Sequence, residues 1–122
     1  MRLVDTSAWI HALRPDGDPA TASRVRSLLE AGEAAWCPMI ELELWSGARG
    51  AHERRVLEEM GRFLVRLEIT DGVWRAAFAL ARAARQKGKT VPSTDILIAA
   101  CARTHSVELE HADEHFIALA AV

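Results

Sequence analysis

Four carboxylates stand where the chain is expected to change direction: Asp5, Glu43, Asp95 and Asp113. Each lies beside an apolar run, near the end of a predicted strand or the start of a predicted helix. Two unit charges about 4 Å apart repel by roughly 4 kcal/mol at an effective dielectric near 20, so acids gathered into one pocket need a counter-charge. An all-oxygen site suits Mg²⁺ or Mn²⁺ better than zinc. If the acids converge, the pattern indicates a metal pocket, and a carboxylate-held metal that activates water can cleave phosphodiesters.

The elements that must position these acids follow from apolar runs and helix caps. Four short apolar segments predict strands: Met1–Val4, Ala34–Cys37, Val65–Ile69 and Val107–His111. The helical segments between them give the order β-α-α-β-α-α-β-α-α-β-α, which indicates a parallel sheet covered by helices on both faces. Ligands bind beyond the carboxyl ends of the strands in such sheets. Asp5 follows the first strand and Asp113 the last, so both are expected at one edge.

The chain as a whole has the size and composition of one domain, residues 1–122. Half of its residues are apolar, which is enough for a core without disulfides. Cys37 and Cys101 are therefore predicted to be free, buried thiols in a reducing compartment. No apolar run approaches about 18 residues and the first ten residues lack a signal-peptide layout, so we expect a cytoplasmic protein without a membrane span. The net charge of −2 does not indicate a nucleic-acid-binding protein.

Each acid also has a purely structural interpretation. Asp5 and Asp113 can simply cap helices, a common role for aspartate. Asp95 suits the first turn of a helix, where the helix dipole favours a negative charge. However, Asp95 precedes seven consecutive apolar residues, Ile96–Ala102, which predict a helix buried on most sides. A carboxylate at the head of such a helix needs a partner, so the shared topology of the acids carries more weight than any one of them.

The helix predicted after Pro38 carries two acids, Glu41 and Glu43. Two helical positions differ by about 200°, so only one of the acids can face a given pocket. Glu43 shares a face with Gly47, where the missing side chain allows close approach. Periodicity therefore favours Glu43 slightly without excluding Glu41.

Four segments in this order and spacing, VDTSAWI, ELWSGAR, PSTDILIAACA and HADEHF, resemble a PIN-domain ribonuclease, most closely the VapC toxins of prokaryotic type II toxin–antitoxin pairs. The resemblance implies a three-layer α/β/α PIN-like fold with a central, mostly parallel sheet of four or five short strands. The spacing of that family's second motif to Pro38 and Gly47 points to Glu43. The resemblance assigns catalytic metal-binding roles to Asp5, Glu43, Asp95 and Asp113, with support from Thr6, Ser7 and Ser93.

The function implied is endoribonuclease activity dependent on Mg²⁺, with Mn²⁺ as the alternative ion. The metal would be held by Asp5, Asp95 and either Glu43 or Asp113, with the remaining acid acting through water. The implied partners are an RNA substrate of the tRNA or rRNA class, a VapB-like antitoxin and a second copy in a homodimer. No membrane partner is implied.

The last motif departs from many relatives, which carry a second acid where this chain has His115. A second metal would therefore be bound weakly, or with help from His115. A nitrogen-rich transition-metal site formed by His111, Asp113 and His115 is the alternative. No further ligand is evident in the sequence, so a strand-end histidine and a helix-surface histidine are the favoured interpretations.

The densest basic run covers residues 82–89 and leads into Ser93-Thr94-Asp95. Arg85, Lys87 and Lys89 have two interpretations of equal weight. Cations are favourable near a helix C-terminus. Placed cations also hold RNA phosphates, which position a substrate without reading its sequence.

Two other functions compete with the metal-dependent nuclease. An aspartyl phosphatase of the haloacid-dehalogenase type would use Asp5 as a nucleophile, but it needs a second aspartate two residues later, where this chain has Ser7. A non-catalytic PIN-like binding module would use a metal only structurally, and the presence of all four acids argues against it.

Overall fold

The computed structural model describes all 122 residues as four short strands and seven helices. The strands are β1 (Arg2–Val4), β2 (Ala34–Trp36), β3 (Val65–Arg66) and β4 (Glu108–Glu110). The helices are α1 (Thr6–Leu13), α2 (Pro19–Glu30), α3 (Pro38–Ser46), α4 (Gly50–Phe63), α5 (Asp71–Gln86), α6 (Ser93–Thr104) and α7 (Glu114–Ala120). This order of elements is the predicted one.

The strands form one fully parallel sheet in the order β3-β2-β1-β4. Leu3 at its centre pairs with Ala35 on one side and Leu109 on the other. The three-layer α/β/α fold with a parallel sheet is confirmed, with four strands. Each strand is shorter than predicted, and β3 at the edge keeps only two exposed residues. Strand β3 pairs with β2 alone, so fewer of its residues form hydrogen bonds of the sheet.

Helix α6 lies at the centre of the core. All its residues from Asp95 to Ala102 are buried, as the apolar run predicted. The helix packs against α5, α7, α3 and β4. Because α6 is enclosed on most sides, the carboxylate near its N-terminus is held in a fixed place relative to the sheet.

The four tryptophans divide into two groups. Trp9 and Trp36 are buried in the core, whereas Trp45 and Trp74 are exposed on α3 and α5. Only two of the four tryptophans therefore contribute to the core. None of the helices has the length and apolar character that crossing a bilayer requires.

Candidate metal centre

Asp5 caps α1 and is buried at the carboxyl end of β1. Its carboxylate accepts hydrogen bonds from the Ser7 backbone N–H at 2.9 Å and from Ser7 Oγ at 2.6 Å. Ser7 Oγ also accepts from the Ala112 N–H at 3.0 Å, which ties the end of β1 to the segment before α7. Burial raises the pKa of Asp5, the hydrogen bonds from Ser7 oppose that shift, and the charge of Asp113 adds to it. The cap therefore also fixes a buried carboxylate.

The phase of α3 separates its two acids. Glu43 accepts a hydrogen bond from Thr6 Oγ1 at 2.9 Å. Burial raises the pKa of Glu43, the Thr6 hydrogen bond opposes this, and the charges of Asp5 and Asp95 raise the pKa further. Glu41 instead forms an ion pair with Arg66 of β3. The helix therefore brings Glu43 to the other acids and directs Glu41 elsewhere.

Asp95 is the third residue of α6 and is 8% exposed. Burial raises its pKa, a hydrogen bond from the His115 ring opposes the shift, and the charges of Asp113 and Asp5 add to it. The charge of at least one other acid in the group raises the pKa of each of these residues: Asp5, Glu43 and Asp95. Because each raised pKa means that the ionised carboxylate is disfavoured in the fold, this pocket favours a positive charge among the acids.

Asp113 caps the last helix and brings a histidine into the pocket. It accepts a hydrogen bond from the His115 backbone N–H at 2.9 Å. The Nδ1 atom of His115 lies 3.0 Å from Asp95 Oδ2 and 3.2 Å from Asp113 Oδ1. The sequence favoured a helix-surface histidine here; the side chain is 38% exposed and its ring also lies against two carboxylates. The signal that could have found it is the Asp-x-His spacing, because a capping aspartate bonds two residues onward.

His111 takes a different environment from His115. Its ring packs against Phe116 at a centroid distance of 5.1 Å, and its Nδ1 faces the Asp113 backbone N–H at 3.4 Å. The group of side chains whose donor atoms lie within 4.8 Å of one another is Asp95, Asp113 and His115. The alternative site that included His111 is therefore not the one that the fold assembles.

The three residues predicted to support the acids lie in two different places. Thr6 and Ser7 each donate a hydrogen bond to an acid of the pocket. Ser93 instead lines an apolar cleft with Met39 and Trp74. It stands at the first position of α6, two residues before the buried Asp95, and is itself exposed.

The basic run is split by the end of α5. Lys87 donates a hydrogen bond to the Ala121 backbone oxygen at 3.1 Å, so it holds the C-terminal segment. Arg85 and Lys89 line an open groove between α5 and the segment leading into α6. Arg82, which lies one helical turn before Arg85, lines the same groove and was not among the predicted phosphate-binding residues. Its i,i+3 spacing from Arg85 was the available signal.

The donor set of this pocket fits a divalent cation. Carboxylate oxygens dominate it, which suits Mg²⁺ or Mn²⁺. Asp95 and Asp113 would contribute oxygen donors to such an ion, and these donor atoms lie within 4.8 Å of each other.

Comparison with known proteins places this geometry in context. The PIN domain family matches residues 2–122. The chain is 40% identical over 126 residues to ribonuclease VapC11 of Mycobacterium tuberculosis, covering 100% of this chain and 93% of that protein. It is 33% identical over 123 residues to ribonuclease VapC21 of the same species, covering 98% and 86%.

Solved structures show the same fold at lower sequence identity. VapBC-1 from nontypeable Haemophilus influenzae matches with a TM-score of 0.76 and 20% identity, covering 99% of this chain and 93% of that one. FitAcB from Neisseria gonorrhoeae matches with a TM-score of 0.74 and 20% identity, covering 98% and 94%. These similarities agree with the parallel sheet and the helical layers described above.

Proposed function

The chain belongs to the PIN-domain family, among the VapC ribonucleases, and on that premise we propose that it is a metal-dependent endoribonuclease, the toxin of a VapBC-type pair. The observation that carries the proposal is the convergence of Asp5, Glu43 and Asp95 at one edge of the sheet, where burial and the charges of neighbouring acids raise their pKa values. A bound cation stabilises a buried group of acids. Without a cation, the same group destabilises the fold.

The roles proposed for the pocket residues follow from their contacts. Asp5, Glu43, Asp95 and Asp113 hold Mg²⁺ or Mn²⁺ and are the catalytic group. Thr6 fixes the carboxylate of Glu43, and Ser7 fixes that of Asp5, so both are positioning residues. Such hydrogen bonds orient ligands and typically matter 10–100-fold for metal affinity or activity.

The chemistry supplied at such a site is that of a Lewis acid, which lowers the pKa of an attacking water and offsets the charge that develops on the scissile phosphate. The protein contributes the position of each carboxylate and a buried wall behind them. Because Asp5 and Asp95 are 4% and 8% exposed, their oxygens have little competition from bulk water. The carboxylate oxygens that remain free to accept a proton are the candidates for activating that water.

The competing enzyme class receives no support from the pocket. An aspartyl phosphatase would need a free nucleophilic oxygen on Asp5 and an acid two residues later. The residue at that position is Ser7, and its hydroxyl donates to Asp5 Oδ2. A covalent phosphoenzyme trapped with a phosphate analogue would revive this class.

The experiment that tests the proposal is metal removal. We expect the purified protein to cleave single-stranded RNA internally with Mg²⁺ or Mn²⁺, to lose the activity in excess chelator, and to recover it when the metal is restored. Cleaved ends are mapped in total cellular RNA after induction, which also identifies the RNA class. Full cleavage in chelator would contradict the metal mechanism, and no cleavage with either ion would favour the non-catalytic binding module.

The partners form a second part of the proposal. A VapB-like antitoxin is supported by the similar VapBC structures, and a homodimer is consistent with the exposed apolar side chains of the protein. Trp74 and Phe78 lie side by side on α5, 6.2 Å apart, and are 44% and 62% exposed. Such adjacent aromatic groups are typical of surfaces that a partner covers.

We also propose that Arg82, Arg85 and Lys89 hold RNA phosphates in the groove that they line. Replacing Arg85 and Lys89 with alanine should weaken binding to all RNAs alike, because phosphate contacts carry no sequence information. The slope of log affinity against log salt should fall by about 0.7 for each lost contact to a single strand. The measurement is fluorescence anisotropy of labelled RNA over a salt series.

Lys87→Ala is the matched control, because Lys87 belongs to the same run but contacts the Ala121 backbone oxygen. This variant should leave the salt slope nearly unchanged. If the double variant binds RNA with the wild-type slope, or if Lys87→Ala alone reproduces its effect, the groove does not hold phosphates.

A further inference from the structure

His115 occupies a position that the proposed metal mechanism does not use. It is the second residue of α7, and its side chain is 38% exposed, so the ring is open to solvent on one side. Its Nδ1 atom lies within 3.2 Å of carboxylate oxygens from two different elements, Asp95 of α6 and Asp113 of the α7 cap. Two oxygens and one nitrogen therefore converge on one point.

One ring nitrogen faces two carboxylates here, and Asp113 also accepts a hydrogen bond from the His115 backbone N–H. A ring nitrogen carries at most one hydrogen, so Nδ1 cannot donate a full hydrogen bond to Asp95 and Asp113 at once. Carboxylates have no hydrogen to give in return when they are ionised. A cation among the three groups accepts electron pairs from all of them, and their donor atoms already lie within 4.8 Å of one another.

We propose that His115 is a metal ligand through Nδ1, and that it makes this site select Mn²⁺ over Mg²⁺. This inference rests on the proposed function, because it concerns the same pocket. Mg²⁺ prefers oxygen ligands, whereas imidazole nitrogen suits the first-row transition metals. Exchanging one oxygen donor for nitrogen therefore raises the affinity for Mn²⁺ relative to Mg²⁺.

The exposure of His115 makes the inference practical to test. The side chain contacts the pocket on one side and solvent on the other, so His115→Ala and His115→Asp should leave the core of α6 and α7 intact. His115→Asp keeps a donor but makes it oxygen. His52→Ala on α4 is the matched control, because His52 is exposed and forms none of the hydrogen bonds or ion pairs of the pocket.

The experiment measures Mn²⁺ binding directly on protein that carries no polyhistidine tag. Electron spin-echo modulation of bound Mn²⁺ should show ¹⁴N coupling in the wild type and in His52→Ala, but not in His115→Ala or His115→Asp. Calorimetry should show that His115→Ala loses about tenfold or more in Mn²⁺ affinity, and that His115→Asp lowers the ratio of Mn²⁺ to Mg²⁺ affinity. Circular dichroism of each variant confirms the fold.

The outcomes separate this inference from the proposed function. Bound Mn²⁺ without ¹⁴N coupling in the wild type, or coupling that persists in His115→Ala, overturns the role of His115. If RNA cleavage still requires metal in that case, the proposed function stands. If neither ion binds the wild-type protein, both the inference and the metal mechanism fail.

Discussion

Asp95→Asn should abolish RNA cleavage in Mg²⁺ and Mn²⁺. Asp95 is buried at the head of α6 and touches the His115 ring, so its charge acts inside the pocket. Loss of groups that merely orient a metal ligand costs about 10–100-fold, and removing a proposed ligand's charge should cost more than about 100-fold. The measurement is the initial cleavage rate of a labelled RNA over a metal titration.

The same variant should keep or gain stability without metal. The pKa of Asp95 is raised by burial and by the charges of Asp113 and Asp5. A raised folded-state pKa means that ionisation of this carboxylate at neutral pH lowers the free energy of unfolding. The loss is absent below the pKa that the group has in the unfolded chain. Asparagine has the same shape without the charge. Urea unfolding in excess chelator at neutral pH measures the effect.

Asp71→Asn provides the matched control for this prediction. Asp71 also lies in the first turn of a helix, α5, but it is exposed and outside the pocket. Its replacement should leave the cleavage rate unchanged. Full activity of purified Asp95→Asn would contradict the metal mechanism, whereas an unfolded variant would contradict the account of Asp95 as a destabilising charge.

Glu43→Gln should lose most of the activity, about 10–100-fold or more, while Glu41→Gln should keep it. Glu43 accepts a hydrogen bond from Thr6, and the charges of Asp5 and Asp95 raise its pKa. Glutamine can still accept the Thr6 hydrogen bond, so the variant removes the charge with little change of shape. Cleavage rates and Mn²⁺ affinity are measured together for both variants.

Glu41→Gln is a control within the same helix. It breaks the ion pair with Arg66, an exposed contact whose loss should cost at most about 1 kcal/mol of stability. Loss of cleavage in Glu41→Gln with retention in Glu43→Gln would show that Glu41, and not Glu43, is the acid of α3 that reaches the pocket.

The order of elements was predictable because its signals are local. Helix caps such as Thr70, the prolines at the starts of α2 and α3, and the apolar run of α6 act within a few residues of themselves. The parallel sheet follows from that order, since short strands separated by helices have few other ways to pair. Asp5 and Asp95 also stand out in the sequence, one as the end of a strand and one as a carboxylate heading a buried helix.

The contacts of the pocket join residues that are far apart in the sequence, and local sequence signals do not encode such contacts. His115 meets Asp95 across 20 residues, and Glu43 meets Thr6 across 37. Lys87 belongs to the same basic run as Arg85 and Lys89, yet only the packing of the C-terminal segment directs it to Ala121. The sequence by itself determined which residues can carry the chemistry and on which elements they stand. The tertiary structure decided which of them meet, because the relative placement of α3, α6 and α7 on the sheet is set by packing between distant parts of the chain.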